Sequence, residues 1–203
     1  GFATALFFII EPQDTSDIGG YDGLAAVDEQ RDLKKVIENA IERGHAVTLN
    51  EQEINRYIKR TLAGRQAGHL SPWVEIKGVA VRTEDDRVEV VIERLIAGRP
   101  FTVSMYLSIE QQELPDGKIA TYVHRHGGPM VGRLPQPMAG GRFGRVVVPQ
   151  GFLLLVLPSF ERIAELYQDE LALVLEEMAR IRIGSQGVEL DPRPAGGLLP
   201  GAK

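Results

Sequence analysis

The apolar residues of this chain first follow a helical repeat. Spacings of three and four residues predict a helix within residues 24–43. A short strand is predicted over residues 46–49, after which Asn50 and Glu53 have the spacing of a capping box. The helix that begins at this box is predicted to end at Gly64. The domain is therefore expected to start with a helix, followed by a strand–helix unit.

From Pro72 onward the apolar repeat changes to two, which is typical of strands with one buried face. The alternation changes parity at Gly78, which predicts a β-bulge there. Four strands joined by short turns are predicted up to His126, and this arrangement favours an antiparallel meander. Residues 127–151 are rich in Gly and Pro and predict loops around one short strand at 145–148.

A helical repeat returns in the last quarter of the chain. Residues 152–157 are apolar throughout, Pro158 ends this run, and Ser159 caps a long helix that also carries many carboxylates. Residues 180–191 predict a last strand or a hairpin. The predicted fold class is α+β: an antiparallel meander sheet of four or more strands, with N-terminal helices and a long C-terminal helix packed on one face.

The first ten residues, GFATALFFII, carry no charge. As a helix, Phe2–Ile10 would span about 13 Å, less than half of a hydrocarbon core of roughly 30 Å. We interpret residues 1–10 as the remnant of a signal peptide or membrane anchor; the alternative is a short buried element of the fold. The predicted organisation is completed by a linker at 11–23, a single α+β domain at 24–191 and a flexible tail at 192–203.

Composition narrows the function classes. The chain has a net charge of −5, 43% hydrophobic residues and no cysteine. The apolar fraction is sufficient for a real core and excludes disorder over the whole length. The acidic balance argues against a nucleic-acid partner. Without cysteine there is no disulfide, thiolate metal site or thiol nucleophile. We expect no cofactor.

Candidate catalytic chemistry is sparse. His124 and His126 lie two apart on a predicted strand, so both imidazoles could face one side and hold a metal. A zinc site needs three or four ligands, and no H-E-x-x-H motif is present. There is no G-x-S-x-G nucleophile elbow either. We therefore predict a protein that is not an enzyme, with a metal hydrolase using this histidine pair as the alternative.

Charge is segregated along the chain. The span between Gly117 and Phe160 contains no Asp or Glu but five cations: Lys118, Arg125, Arg133, Arg142 and Arg145. The span 161–191 has a net charge of −5. The first span could be a basic rim for anionic headgroups, an envelope polymer or an acidic partner. Alternatively, the two spans neutralise each other across the fold.

An apolar excess suggests a ligand site between the sheet and the long helix. Residues 152–157 have no polar face, so they must be buried or line something apolar. The candidate ligand-binding residues, with four arginines at the anionic end, are Phe101, Met105, Phe152, Leu154, Leu155, Arg125, Arg133, Arg142 and Arg145. The alternative is an ordinary core.

Two stretches carry a family resemblance. Both resemble parts of the YpmS-type family of membrane-anchored bacterial proteins. The family's strand–helix unit is similar to Val47–Leu62, VTLNEQEINRYIKRTL. Its late strand and apolar helix are similar to Gly144–Leu157, GRVVVPQGFLLLVL. The chain more remotely resembles tubular lipid-binding domains. The Gly/Pro-rich segment 127–144 and the acidic helix depart from the family pattern. The resemblance implies an extracytoplasmic domain on one N-terminal anchor and supplies no catalytic residues.

The predicted function is therefore that of an extracytoplasmic domain, periplasmic or on the cell surface, that is membrane-tethered or secreted. Its expected partners are the membrane or export machinery at the N-terminal segment, and a lipid-like ligand or an envelope protein. A purely structural adaptor is a further alternative, and the oligomeric state is left open.

Overall fold

The computed structural model describes residues 8–9, 11–18, 31–66, 76–96, 98–131 and 134–194. The fold is α+β, as predicted, and its sheets are antiparallel. Two short 3-10 helices span Ser16–Ile18 and Gln150–Leu155. The other elements are α1 (Leu33–Arg43), β1 (Val47–Asn50), α2 (Glu51–Gln66), β2 (Ile76–Glu84), β3 (Arg87–Ile96), β4 (Arg99–Glu113), β5 (Ile119–His124), β6 (Pro129–Val131), β7 (Leu134–Phe143), β8 (Val146–Pro149), α3 (Leu157–Leu166), α4 (Gln168–Glu177), β9 (Arg180–Gly184) and β10 (Gly187–Asp191).

The larger sheet has seven strands within the described part of the chain. Its path is β2-β3-β4-β7-β6, with β5 also paired to β4 and β8 to β7. Strands β2 to β5 form the predicted meander. The register shifts between Ile76 and Gly78, which confirms the predicted bulge. The bulge brings Val79 and Val81 onto the face that also carries Val90 and Met105.

Of the predictions for residues 127–151, the short strand at 145–148 is confirmed as β8, but the loops predicted before it are wrong, because β6 and β7 lie there. Strand β7 pairs with the middle of β4, at Val103–Met105. At Gly141 the backbone of β7 approaches β4 so closely that a Cβ atom would lie 1.8 Å from the carbonyl oxygen of Ser104. Glycine here permits contact between two strands, whereas in the sequence it resembles a loop residue.

The smaller sheet has the order β1-β10-β9 in the described residues, and β9 with β10 forms the predicted hairpin. The capping box that joins β1 to α2 is confirmed. The backbone amide of Glu53 donates to Asn50 Oδ1 at 2.8 Å, and the amide of Asn50 donates to Glu53 Oε2 at 3.0 Å. The helix continues to Gln66, two residues beyond the predicted end at Gly64.

The single long C-terminal helix is also a wrong prediction. Residues 150–155 form a 3-10 helix, and α3 and α4 are separated at Tyr167, whose φ of −118° and ψ of 24° are not helical. The buried Tyr167 hydroxyl donates to the carbonyl oxygen of Ile58 on α2 at 3.2 Å. A tertiary contact thus holds the residue at which the helical backbone is interrupted. Of the first predicted helix, residues 24–30 lie outside the described residues.

The two faces of the larger sheet are covered differently. The helices and the smaller sheet lie on the face of Val79 and Met105. Residues 11–18, part of the predicted linker, lie along the opposite face, where Gln13 and Ile18 are buried. The backbone amide of Gln13 donates to Thr102 Oγ1 at 2.7 Å. Of the predicted anchor remnant, the described residues include only Phe8 and Ile9. Residues 19–23 of the predicted linker and 195–203 of the predicted tail also lie outside the described residues.

Candidate ligand-binding cavity

An apolar cavity of about 340 Å³ lies between the larger sheet, the smaller sheet and the four helices. Its lining from the larger sheet comes from alternate residues of β2, β3 and β4, which share one face because side chains alternate along a strand. The described lining carries only three side chains with a polar group, and these are Tyr57, Tyr167 and Glu170. The site can therefore hold an apolar body and has little to hydrogen-bond it.

The exposure of the sheet residues shows where packing is incomplete. At one end of the inner face, Val79 and Val103 are 2% and 1% exposed. Farther along the same face, Val81, Val88 and Leu107 line the cavity and are only half-buried. Interiors are normally packed as densely as organic crystals, so an unfilled region of this size costs dispersion contacts. An apolar ligand would restore those contacts.

A polar cluster closes one side of the cavity and joins α2 to α4. The Tyr57 hydroxyl donates to Glu170 Oε1 at 2.5 Å. The Arg65 guanidinium forms an ion pair with both Glu170 oxygens, one of them at 3.1 Å, and also donates to the Leu166 carbonyl. The same guanidinium stacks over the Tyr167 ring, 4.5 Å from its centroid. These contacts satisfy the polar groups beside an otherwise apolar cavity.

The surroundings of this cluster shift its pKa values. Burial, together with the hydrogen bond to Glu170, raises the pKa of the Tyr57 hydroxyl. Burial acts to raise the pKa of the Glu170 carboxyl, but the hydrogen bonds from Arg65 and Tyr57 outweigh it and lower that pKa. The pair with Glu170 raises the pKa of Arg65 against the effect of burial. The cluster is thus an ionised pair held beside a neutral phenol.

The lowered pKa of Glu170 predicts a dependence of stability on pH. Because the folded pKa lies below the ordinary value of 4.5, the stabilisation by this carboxylate is complete above pH 4.5 and is lost as the pH falls through the folded pKa. We expect the free energy of unfolding of Glu170→Gln to fall less steeply below pH 4.5 than that of the wild type. Urea titrations across this range measure the slope. Glu176→Gln, which removes an exposed carboxylate from the same helix, is the matched control. Equal slopes for all three proteins would contradict the prediction.

Of the predicted apolar ligand-binding residues, Met105 lines the cavity. Phe101 packs against the core but is not part of the described lining. The expectation that residues 152–157 are buried or line a cavity is wrong for Phe152, Leu154 and Leu155, which are 53%, 70% and 74% exposed. The reason is the short 3-10 helix, in which Leu153 alone is buried.

The predicted basic residues do not surround the cavity. Arg142 lies on the opposite face of the sheet, where its Nε donates to the Tyr106 hydroxyl at 2.9 Å. Arg145 pairs with Glu11 at 3.0 Å and lies over the Phe8 ring. Arg125 is exposed, and Arg133 lies outside the described residues.

The two histidines of the predicted metal site, His124 and His126, lie close together but have few other potential metal ligands nearby. The rings of His124 and His126 are 6.0 Å apart, and His124 Nε2 lies 3.1 Å from Glu110 Oε2. Within the described ranges no group of three or more His, Asp or Glu side chains could hold a metal ion.

Sequence reasoning missed the cluster of Tyr57, Arg65 and Glu170. Tyr57 falls within the helix predicted after the capping box, and Glu170 is one of the many carboxylates of the last predicted helix. The one sequence signal was the tyrosine itself, since a buried tyrosine hydroxyl usually has a hydrogen-bond partner. Which carboxylate serves as that partner depends on how α2 and α4 meet.

The fold and the cavity together define an α+β domain with a candidate site for an apolar small molecule. Comparison of the chain with protein-family models, with curated proteins and with solved structures gave no match. None of the helices in the described ranges combines the length and the hydropathy that a membrane span requires.

Proposed function

We propose that this chain is a non-enzymatic domain that binds an apolar, lipid-like ligand in the cavity between its sheets and helices. The observation that carries the proposal is an unfilled cavity of about 340 Å³ whose described lining has three polar side chains. This volume falls in the range of small-molecule sites, roughly 300–1,000 Å³. Transfer of apolar surface from water into such a site contributes about 25 cal/mol per Å².

The chemistry of the lining restricts the ligand class. The cavity volume suits an apolar body of small-molecule size. A charged group within the apolar part would lose its hydration without a partner. A polar end is therefore expected beside Tyr57, Arg65 and Glu170. A single acyl or prenyl chain satisfies these conditions.

The cellular setting is part of the same proposal. The uncharged segment 1–10 supports a domain held at, or exported through, a membrane, and the resemblance to the YpmS-type family supports an extracytoplasmic location. A lipid-like ligand is abundant in that setting. An envelope protein as the partner is the alternative within this proposal.

The test is to fill the cavity. Val90 lines it and is half-buried, so Val90→Phe adds its ring to empty space rather than to a packed core. We expect this variant to bind N-phenyl-1-naphthylamine, a neutral fluorophore that brightens in apolar surroundings, at least about tenfold more weakly than the wild type. The matched control is Val90→Ile, which adds one methylene and should bind nearly as well as the wild type.

Native mass spectrometry gives the second readout. The wild-type protein should carry an added mass that organic extraction removes, and Val90→Phe should not carry it. A wild-type protein with no added mass, whose binding of the fluorophore equals that of Val90→Phe, would overturn the proposal. Thermal unfolding of all three proteins checks that the variants fold.

A further inference from the structure

The apolar cavity reaches solvent between α3 and α4. Its described lining residues are buried or half-buried with two exceptions, Ala164 and Leu171, which are exposed. Ala164 lies on α3 and Leu171 on α4, on either side of the interruption at Tyr167. Because the side chain of alanine is a single methyl group, the cavity and the solvent come close together there. We call Ala164 and Leu171 the mouth of the cavity.

A groove on the outer side of α3 and α4 adjoins this mouth. Its volume is about 450 Å³, and it shares Ala164 and Leu171 with the cavity. We call it the outer groove; its other described lining residues are Gln168, Asp169, Ala172, Leu175 and Glu176. Because the two spaces share both mouth residues, an elongated ligand can place its chain in the cavity and its end in the outer groove.

The two spaces differ in polarity. The three polar side chains of the cavity lining each have a hydrogen-bond partner on α2 or α4 already. In the outer groove, Gln168, Asp169 and Glu176 are exposed, and both charged residues of the described lining are carboxylates. Helices α3 and α4 together carry six carboxylates and one arginine. Lys34 of α1 and Arg65 of α2 each pair with one of these carboxylates, so the acidic excess remains.

We propose that the ligand enters through the mouth, that its chain occupies the cavity and that its polar end remains in the outer groove. That end is a hydrogen-bond donor without negative charge, such as an ammonium or hydroxyl group, because carboxylates accept hydrogen bonds and repel other anions. Glu170 directly precedes Leu171, so an end at the mouth also lies beside the polar cluster. This inference rests on the proposed function and adds the entrance and the class of the polar end.

The absence of cysteine from the chain allows the mouth to be blocked at a single position. Leu171→Cys is labelled with biotin maleimide and then covered with streptavidin. The matched control is Leu114→Cys, because both leucines are 39% exposed and Leu114 belongs to the described lining of neither space. Stopped-flow fluorescence measures the association of N-phenyl-1-naphthylamine with each labelled protein before and after streptavidin is added.

We expect streptavidin at position 171 to slow this association by at least about tenfold, because the ligand must pass the covered mouth. Streptavidin at position 114 should leave the rate unchanged. Equal rates with and without streptavidin at position 171 would overturn the entrance, while the proposed function would stand because the fluorophore still binds. A wild-type protein that does not bind the fluorophore would overturn both proposals.

The polar end is tested with decylammonium and decanoate, which have the same chain length and opposite charges near neutral pH. We expect decylammonium to displace the fluorophore from the wild type at least about fivefold more strongly than decanoate does. Glu176→Lys should reduce this ratio, whereas Glu42→Lys, at an exposed position of α1 outside the described lining of the groove, should keep it. Equal displacement by the two probes, or the same ratio in all three proteins, would overturn the assignment of the polar end.

Discussion

Replacing Glu89 by alanine is expected to lower the free energy of unfolding by roughly 3–5 kcal/mol. Glu89 lies on the face of the larger sheet opposite the cavity, and its side chain is 0% exposed. Its Oε1 accepts hydrogen bonds from Gln13 Nε2 at 2.9 Å and from Ser104 Oγ at 2.5 Å, and its Oε2 pairs with Arg82 at 2.5 Å. Removing the carboxylate leaves three buried or half-buried donors without this acceptor.

The matched control is Glu93→Ala. Glu93 lies on the same strand and the same face, but its pair with Lys77, at 2.9 Å, is partly exposed. Such pairs contribute about 0–1 kcal/mol, so this variant should remain near the wild type. Urea unfolding monitored by circular dichroism measures both proteins. A loss below 1 kcal/mol for Glu89→Ala would contradict the prediction. Because Gln13 belongs to residues 11–18, the same variant should also make this segment more sensitive to proteolysis.

Gly141→Ala is the second change with a large expected effect. The added Cβ atom would lie 1.8 Å from the carbonyl oxygen of Ser104 and 2.9 Å from Cα of Met105, and both of these atoms belong to the backbone of β4. Overpacking that side chains can relieve costs about 1–3 kcal/mol. A backbone oxygen in a paired strand cannot rotate away, so β7 must separate from β4. We expect a loss of at least about 3 kcal/mol, or failure to fold.

Gly151→Ala provides the control for this substitution. Position 151 has open space around it, and its φ lies outside the left-handed region. Substitutions at such surface positions usually change stability by less than about 0.5 kcal/mol. Thermal unfolding, together with the yield of folded protein, compares the two variants. Wild-type stability for Gly141→Ala would show that β7 does not pair with β4 as described.

Local signals predicted much of the framework. The capping box of Asn50 and Glu53, the bulge at Gly78, the meander of β2 to β5 and the final hairpin each depend on residues that are close in sequence. Local backbone preferences and hydrogen bonds decide these features, so a short window of sequence contains the required information.

The pattern of apolar and polar residues gave wrong predictions where the structural role of a residue depends on neighbours that are distant in sequence. Glycine in β7 allows close contact with β4, but composition alone predicts a loop there. The apolar run 152–157 predicted burial, whereas the tight 3-10 helix turns three of its side chains to solvent. The helical backbone is interrupted at Tyr167, whose hydroxyl donates to the carbonyl oxygen of Ile58, more than a hundred residues earlier in the chain.

In the candidate site, too, some features follow from the local sequence and others from contacts between distant segments. The alternating apolar residues of β2, β3 and β4 determine that one face of the sheet is apolar, because the side-chain period of a strand is two. Whether that face is filled by helices or left with a cavity depends on the distance and angle at which α2, α3 and α4 cross it. The cluster of Tyr57, Arg65 and Glu170 arises from the same crossing. The periodicity of apolar residues is a local property, so the sequence by itself determined which face of the sheet is apolar. The cavity and the polar cluster at its edge result from packing between distant segments, so only the tertiary structure decided them.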